Sequence, residues 1–238
     1  MTRRRVFQTS LMSALLAGVY DGDLSVGELL EEGNFGLGTF DGLDGEMVVI
    51  DGECLRMRAD GTVTPADRTD MTPFAVVVNF VADETIEVTE PVTMAGLFEL
   101  IGHESDNYLY AVRVHGHFES VVTRTVSIQK KPYQPLRTAV RGQATMDFAQ
   151  LDGMLVGFES PLYERGIGVP GGHVHFLDTD HTRGGHVLDF VMTRGTIEVC
   201  VGTDLELRLP LRKEFGEAEL TPDDLAEQIE ATENQRSH

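Results

Sequence analysis

The sequence predicts an α+β fold built largely from antiparallel and mixed β-sheets in two intimately packed halves, with short N-terminal helices and a C-terminal helix. Three observations predict it. Helix start signals appear only near the two ends and at one internal stretch. From about residue 35 the texture changes to short runs rich in Val, Ile, Thr and Phe, punctuated by Gly and Asp. At 238 residues and 41% hydrophobic composition, the chain is long enough to bury a full core as one compact unit spanning residues 1–238.

The elements follow in order. Thr9 or Ser10 is placed to cap a first helix over "LMSALLAGVY", and Ser25 with Glu28 forms an S-x-x-E capping box before "LLEE", with Gly33 as the stop. "EMVVIDG", "ECLRMRADG" and "GTVTP" then read as a meander of hairpins, continued by "PFAVVVNFVA" and "ETIEVTEPV". "MAGLFELIGHE", residues 94–104, has the spacing of a short helix. This helix is the natural place to divide residues 1–93, the N-terminal helices and sheet, from 94–238, a second sheet and the C-terminal helix. Further strands are expected in "YLYAVRVHGHFESVVTRTVSIQ", "MDFAQLDGMLVGFESP", "FVMTRGTIEVCVG" and "LELRLPL". The end, "LTPDDLAEQIEATEN", reads as a helix with Thr221 as N-cap, Pro222 at its first position and two aspartates in its first turn.

Composition excludes several classes of partner. The formal net charge is −20, with 39 acids against 19 bases, so a polyanion finds no clustered Lys and Arg and nucleic acid is not an expected partner. "LMSALLAGVY" is too short and too interrupted to span a bilayer, so no membrane is expected. "RRR" precedes it as a signal peptide would require, but no small-residue cleavage site follows. Cys54 and Cys200 are the only cysteines and lie far apart, which fits a reducing cytoplasm and no disulfide framework. Sixteen of the bases are arginines and three are lysines, and such an acidic, lysine-poor surface is what high-salt adaptation produces; an ordinary acidic cytoplasmic protein shows the same net charge.

The chemistry concentrates in "GGHVHFLDTDHTRGGHVLDF", residues 171–190, which holds four of the eight histidines. In a strand, His173 and His175 point to one face with Val174 opposite. "DTDHTRGG" carries turn residues, so an antiparallel hairpin brings His186 across from that pair. Three neutral imidazoles from two strands make a zinc site with a position left for water or substrate. His181 falls in the turn as a bystander. A second pair, His115 and His117 in "VHGHF", has no third histidine at hairpin distance, and Gly116 between them suggests a bulge or close packing. A cupin-like metal-dependent oxygenase or a non-enzymatic small-molecule-binding module remains as an alternative. The cupin reading lacks a glutamate shortly after the second histidine, where "HFLDTD" stands.

Four separated segments carry a resemblance. "GNFGLGTFDGLDGEMVVIDGECLRMRADG" (33–61), "TPFAVVVNF" (72–80), "TRTVSIQKKPYQPL" (123–136) and "GVPGGHVHFLDTDHTRGGHVLDF" (168–190), in this order and spacing, resemble the alpha-acetolactate decarboxylase family. The likeness runs from the "SLMSALLAGVYDG" segment to "IEATEN". It implies a zinc-dependent carboxy-lyase that converts 2-acetolactate to acetoin and carbon dioxide, with no organic cofactor and with a homodimer as the assembly. It places the Zn2+ ligands on His173, His175 and His186, the residues the hairpin argument reaches independently. It also implies catalytic roles for Arg124 of "TRTV", Glu46 of "LDGE" and Glu233 of "ATEN", with Glu230 as the poorer match, and places Thr39 of "LGTF" in the substrate pocket. Read without the resemblance, Glu46 is a turn acid, Arg124 an exposed strand residue and Glu233 part of a solvated helix face.

Overall fold

The computed structural model describes residues 3–101 and 105–233. In chain order the strands are β1 Arg5–Thr9, β2 Leu24–Ser25, β3 Phe35–Thr39, β4 Glu46–Ile50, β5 Glu53–Met57, β6 Val63–Pro65, β7 Met71–Thr72, β8 Phe74–Val78, β9 Glu84–Val88, β10 Val92–Thr93, β11 Leu109–Thr125, β12 Ala144–Ser160, β13 Gly171–Asp178, β14 Gly184–Gly202 and β15 Asp204–Arg208. The helices are α1 Met12–Leu16, α2 Val26–Glu32, α3 Met94–Ile101, α4 Leu136–Ala139, α5 Lys213–Glu217 and α6 Leu225–Glu233. None of the described helices is long and apolar enough to cross a membrane.

Two sheets carry the architecture. The first has the order β15-β1-β8-β3-β4-β5-β6, antiparallel except for the parallel β1/β15 pair. The second is built on β11, β12, β13 and β14, four strands that pair in sequence and close on themselves because β14 bonds to both β11 and β13. The ring is filled by Phe118, Phe176 and Phe190, whose rings meet edge to face at 5.4 and 5.7 Å, together with Val174, Leu155 and Val187. Its outer face, through Ala111, Val156, Phe158 and Leu177, packs on Leu37, Val48, Phe35 and Val76 of the first sheet in one shared core. Burial of these side chains on both sides of the contact holds the two sheets together at about 25 cal/mol for each Å² of apolar surface removed from water. The site described below lies along this seam.

Most expected elements are present, with differences at the two ends. The α2 capping box forms: Ser25 Oγ accepts from the Glu28 N–H, and the Glu28 carboxylate accepts from the Ser25 N–H. Gly33 ends the helix for a reason other than a left-handed turn, since its backbone is extended and a Cβ there would stand 2.7 Å from the Val78 nitrogen. The first helix is shorter than expected and is preceded by β1, which the sequence reading missed. Val6, Phe7, Gln8 and Thr9 are all buried between β15 and β8, so this central strand shows no alternation to read. Neither Thr9 nor Ser10 caps α1: Thr9 ends β1, Ser10 takes a positive φ of 64°, and Leu11 is the N-cap without a side-chain bond.

At the other end, α6 begins at Leu225, so Thr221 is not its cap and Pro222 is not its first residue. Pro222 and the two aspartates form a turn in which the Leu225 N–H donates to the Pro222 carbonyl, and Asp224 accepts from the Gln228 side chain one turn later. The short helices α4 and α5 were also not anticipated. "YLYAVRVHGHFESVVTRTVSIQ" yields a single strand of 17 residues rather than several. Gly116 within it is a site of close packing: a Cβ would meet the Met192 sulfur at 2.4 Å. The chain leaves the first sheet after Val78, not at residue 93, because β9 and β10 pair with β14, and it returns to the first sheet as β15. Positions 102–104 of the third expected helix, and Asn234 of the last, lie outside the described residues.

Candidate active site

The hairpin forms as the spacing requires. On β13, Val174 and Phe176 face the ring interior while His173 and His175 face the first sheet. On β14, His186 stands in register with His175, and on its other side with Arg124 of β11. Three neighbouring strands thus present Arg124, His186 and His175 in one row. The row is tight because Gly185 has a φ of +149°, and a Cβ there would press on the Arg124 carbonyl at 2.9 Å. The turn closing the hairpin is organised by Asp178, whose carboxylate accepts from the Thr182 N–H and hydroxyl and from the Arg183 N–H and Nε.

The three histidines offer ligand atoms that all lie within 4.8 Å of one another. His173 Nε2 and His186 Nδ1 are 3.1 Å apart. Two nitrogens bound to a tetrahedral zinc at about 2.0–2.1 Å stand about 3.3 Å apart, so the pair fits such an ion. His175 donates from Nδ1 to the Met47 carbonyl at 2.8 Å, which leaves its Nε2 buried and without a hydrogen-bond partner. A buried, unpartnered imidazole lone pair beside two others is the donor set of a divalent-metal site. Burial, reinforced by the nearby Arg124 guanidinium, pushes the His173 pKa down to about 3, and burial holds those of His175 and His186 well below the ordinary value. All three are therefore neutral, the form that binds metal.

The first sheet supplies the opposite wall. Thr39 and Glu46 are paired across β3 and β4, and the Thr39 hydroxyl donates to the Gly45 carbonyl at 2.8 Å. A Glu46 carboxylate oxygen lies 3.6 Å from His175 Nε2, and the carboxylate accepts from the Val126 N–H. Burial raises its pKa to about 7, with Arg124 opposing and Glu233 adding to the rise. The third wall is α6. Its last described residue, Glu233, is 9% exposed and places a carboxylate oxygen 3.6 Å from Arg124 Nη2 and 3.7 Å from His173 Nε2. Burial raises the Glu233 pKa as well, against the pull of Arg124. Arg124 is 4% exposed, donates to the Gln143 side chain at 3.1 Å, and has a buried Nε with no partner.

Together these groups line a cavity of about 490 Å³ of atom-free space, its open mouth included. One side is polar; the other is apolar, made by Met12, Leu15, Leu43, Phe74, Leu136 and Val140. The seven residues best matched by the resemblance lie on this cavity: His173, His175, His186, Arg124, Glu46, Glu233 and Thr39. Glu230, by contrast, is exposed and does not line the cavity. His115 and His117 are outside the cavity, and His117 binds Asp152 at 2.9 Å on the outer face of the ring. His181 sits in the hairpin turn with a φ of 54°. Sequence reasoning missed the Met47 carbonyl, Gln143 and the apolar wall. A main-chain acceptor leaves no trace in side-chain identity, and the wall residues read as ordinary core.

Known proteins resemble the chain in sequence and in fold. The family description "Alpha-acetolactate decarboxylase" matches residues 6–222. The chain is 41% identical to an alpha-acetolactate decarboxylase of Bacillus subtilis over 96% of its own length and 91% of the relative's. It is 40% identical to one from Methanosarcina mazei, over 96% of this chain and 80% of that one. The crystal structure of the Bacillus subtilis strain 168 protein superposes with a TM-score of 0.95 at 41% identity, covering 97% of this chain and 100% of that one. A Staphylococcus aureus protein described as similar to alpha-acetolactate decarboxylase superposes with a TM-score of 0.92 at 30% identity, covering 96% and 100%. In sequence and in fold, the chain belongs to the alpha-acetolactate decarboxylase family.

Proposed function

We propose that this chain decarboxylates 2-acetolactate to acetoin and carbon dioxide, with a zinc ion held by His173, His175 and His186. The observation that carries the reading is the convergence, in one buried cavity, of three neutral imidazoles, an arginine and two carboxyl groups of raised pKa. The substrate is a β-keto acid: breaking its bond to the carboxylate leaves an electron pair that must move onto the neighbouring carbonyl oxygen. A zinc ion held by His173, His175 and His186 would supply Lewis acidity for that developing charge, worth several kcal/mol.

The chain's own groups supply the rest. Arg124 carries a permanent charge and a planar donor fork, with its Nε unpartnered, and so suits the substrate carboxylate before it departs. Its hydrogen bond to Gln143 fixes the plane of the guanidinium. Each turnover consumes one proton at carbon, and Glu46 and Glu233 are the acids in reach of the cavity. A pKa near 7 leaves Glu46 partly protonated at neutral pH, as a general acid requires. Delivery from one wall of the cavity protonates one face of the product carbon and so sets its configuration. Thr39 and the apolar wall shape the space for the two methyl groups of the substrate.

The cell context follows from composition: two buried free cysteines suit a reducing cytoplasm, and the acidic, lysine-poor surface suits a high-salt interior. A homodimer is the assembly we assign. The test of the activity is acetoin formation and carbon dioxide release from racemic acetolactate, with and without a chelator. Turnover that a chelator abolishes and zinc restores is the expected result. Oxygen consumption without carbon dioxide release would favour the oxygenase reading.

A further inference from the structure

The two carbonyls that orient the metal-facing histidines come from very different supports. His175 is fixed by the Met47 carbonyl on β4, deep in a seven-stranded sheet. His186 Nε2 has two neighbours with opposite demands: the Glu233 main-chain oxygen at 3.1 Å, which can only accept, and Arg124 Nη2 at 3.3 Å, which can only donate. If Nε2 accepted from Arg124, the ring hydrogen would sit on Nδ1 and point at His173 Nε2, 3.1 Å away, closing the metal position. If Nε2 donates to the Glu233 carbonyl, Nδ1 presents a lone pair to that position. The shorter contact is the one that leaves the site able to bind.

That carbonyl belongs to the last described residue of α6. The helix is held by a single face: Ile229 and Thr232 are buried at 6% and 0% exposure, and Leu225 packs on the shared core. We propose that α6 is a supporting element of the metal centre, acting through the main-chain oxygen of Glu233 to hold His186 in the Nδ1-binding tautomer. Docking of the helix and binding of the metal are then coupled, each strengthening the other. This role is separate from that of the Glu233 carboxyl group, and it rests on the three-histidine zinc reading above.

Histidine-15N-labelled zinc protein, read by long-range 15N–1H correlation, gives the tautomer without any mutation. Zinc at His186 Nδ1 with a protonated Nε2 is expected; zinc at Nε2 would overturn the proposal. Ile229→Asp puts a charge at the docking face of α6, and competition with a chromophoric chelator should then show zinc affinity lowered about 10–100-fold, the usual cost of losing a ligand's orienting partner. Glu230→Gln, exposed on the same helix, should bind zinc as the unaltered chain does. In that unaltered chain, zinc should slow amide exchange across residues 225–233. Unchanged affinity in Ile229→Asp despite an α6 freed by exchange criteria, or exchange indifferent to zinc, would refute the coupling. A chain that binds no zinc, or a His173→Ala variant that binds it fully, would instead remove the histidine site on which the proposal stands.

Discussion

Replacing Glu233 by Gln tests the assignment of chemistry to the C-terminal helix. The substitution keeps volume and the main-chain carbonyl, and removes only the titrating oxygen that lies 3.6 Å from Arg124 and 3.7 Å from His173. If Glu233 handles the proton, turnover should fall about 10²–10⁴-fold, the usual contribution of a positioned general acid. At 1.36 kcal/mol per tenfold, that is about 2.7–5.4 kcal/mol of transition-state stabilisation. Folding stability should not fall with it. Burial already disfavours the charged form of this carboxyl group, so a neutral amide relieves that cost while giving up one long ion pair to Arg124. The assay is acetoin formation under saturating substrate, with zinc content and melting temperature measured on the same sample. Glu230→Gln on the exposed side of α6 serves as the control and should be unaffected. Wild-type turnover in Glu233→Gln at full zinc occupancy would refute the reasoning.

His173→Ala, His175→Ala and His186→Ala should each lose bound zinc and activity, whereas His117→Ala, on the outer face, should keep both; metal analysis after dialysis decides, and full occupancy in His186→Ala would sink the hairpin site. Asp178→Ala should cost about 1–3 kcal/mol of stability at neutral pH by unpairing the donors of the hairpin turn. Burial alone would raise the Asp178 pKa, but the bonds from Thr182 and Arg183 outweigh it and the net shift is downward. A depressed folded-state pKa means its contribution is complete above the ordinary value of 3.8 and fades as pH falls through the lower folded value, so wild-type and variant stabilities should converge in acid. Denaturant titrations at pH 7 and below pH 4 measure this, and a constant difference would contradict it. Finally, melting temperature should rise from low salt to molar potassium chloride as repulsion within a chain of net charge −20 is screened, and indifference to salt would return the acidity to an ordinary cytoplasmic surface.

Local signals in the sequence were sufficient wherever one strand or one helix turn held the information. The alternation of His173, Val174 and His175, with turn residues before His186, fixed the hairpin, the faces of its side chains and the neutral three-nitrogen donor set, because a strand has a period of two and a hairpin sets its own register. Ser25 and Glu28 fixed the start of α2 in the same way, through a bond four residues wide. The fold class followed from the same periodicities.

The tertiary structure decided what depends on contacts far apart in the chain. β1 was illegible because Val6, Phe7, Gln8 and Thr9 are buried on both faces, which erases alternation, and because its partners are β8 and the distant β15. The late start of α6 reflects a turn that competes for Pro222 and Asp224, a choice settled by how Leu225 and Ile229 dock. Glu46, Arg124 and Glu233 each look like surface residues in sequence and were reached only through the likeness of their surrounding segments to a family. Their burial, their pKa shifts and their nearness to the histidines exist only because one sheet, one closed ring and one terminal helix meet along a seam. The convergence of the three imidazoles is a property of local sequence. The electrostatics that would make it a catalyst belong to the packing, since desolvation is produced by neighbours that the chain supplies from tens to hundreds of residues away.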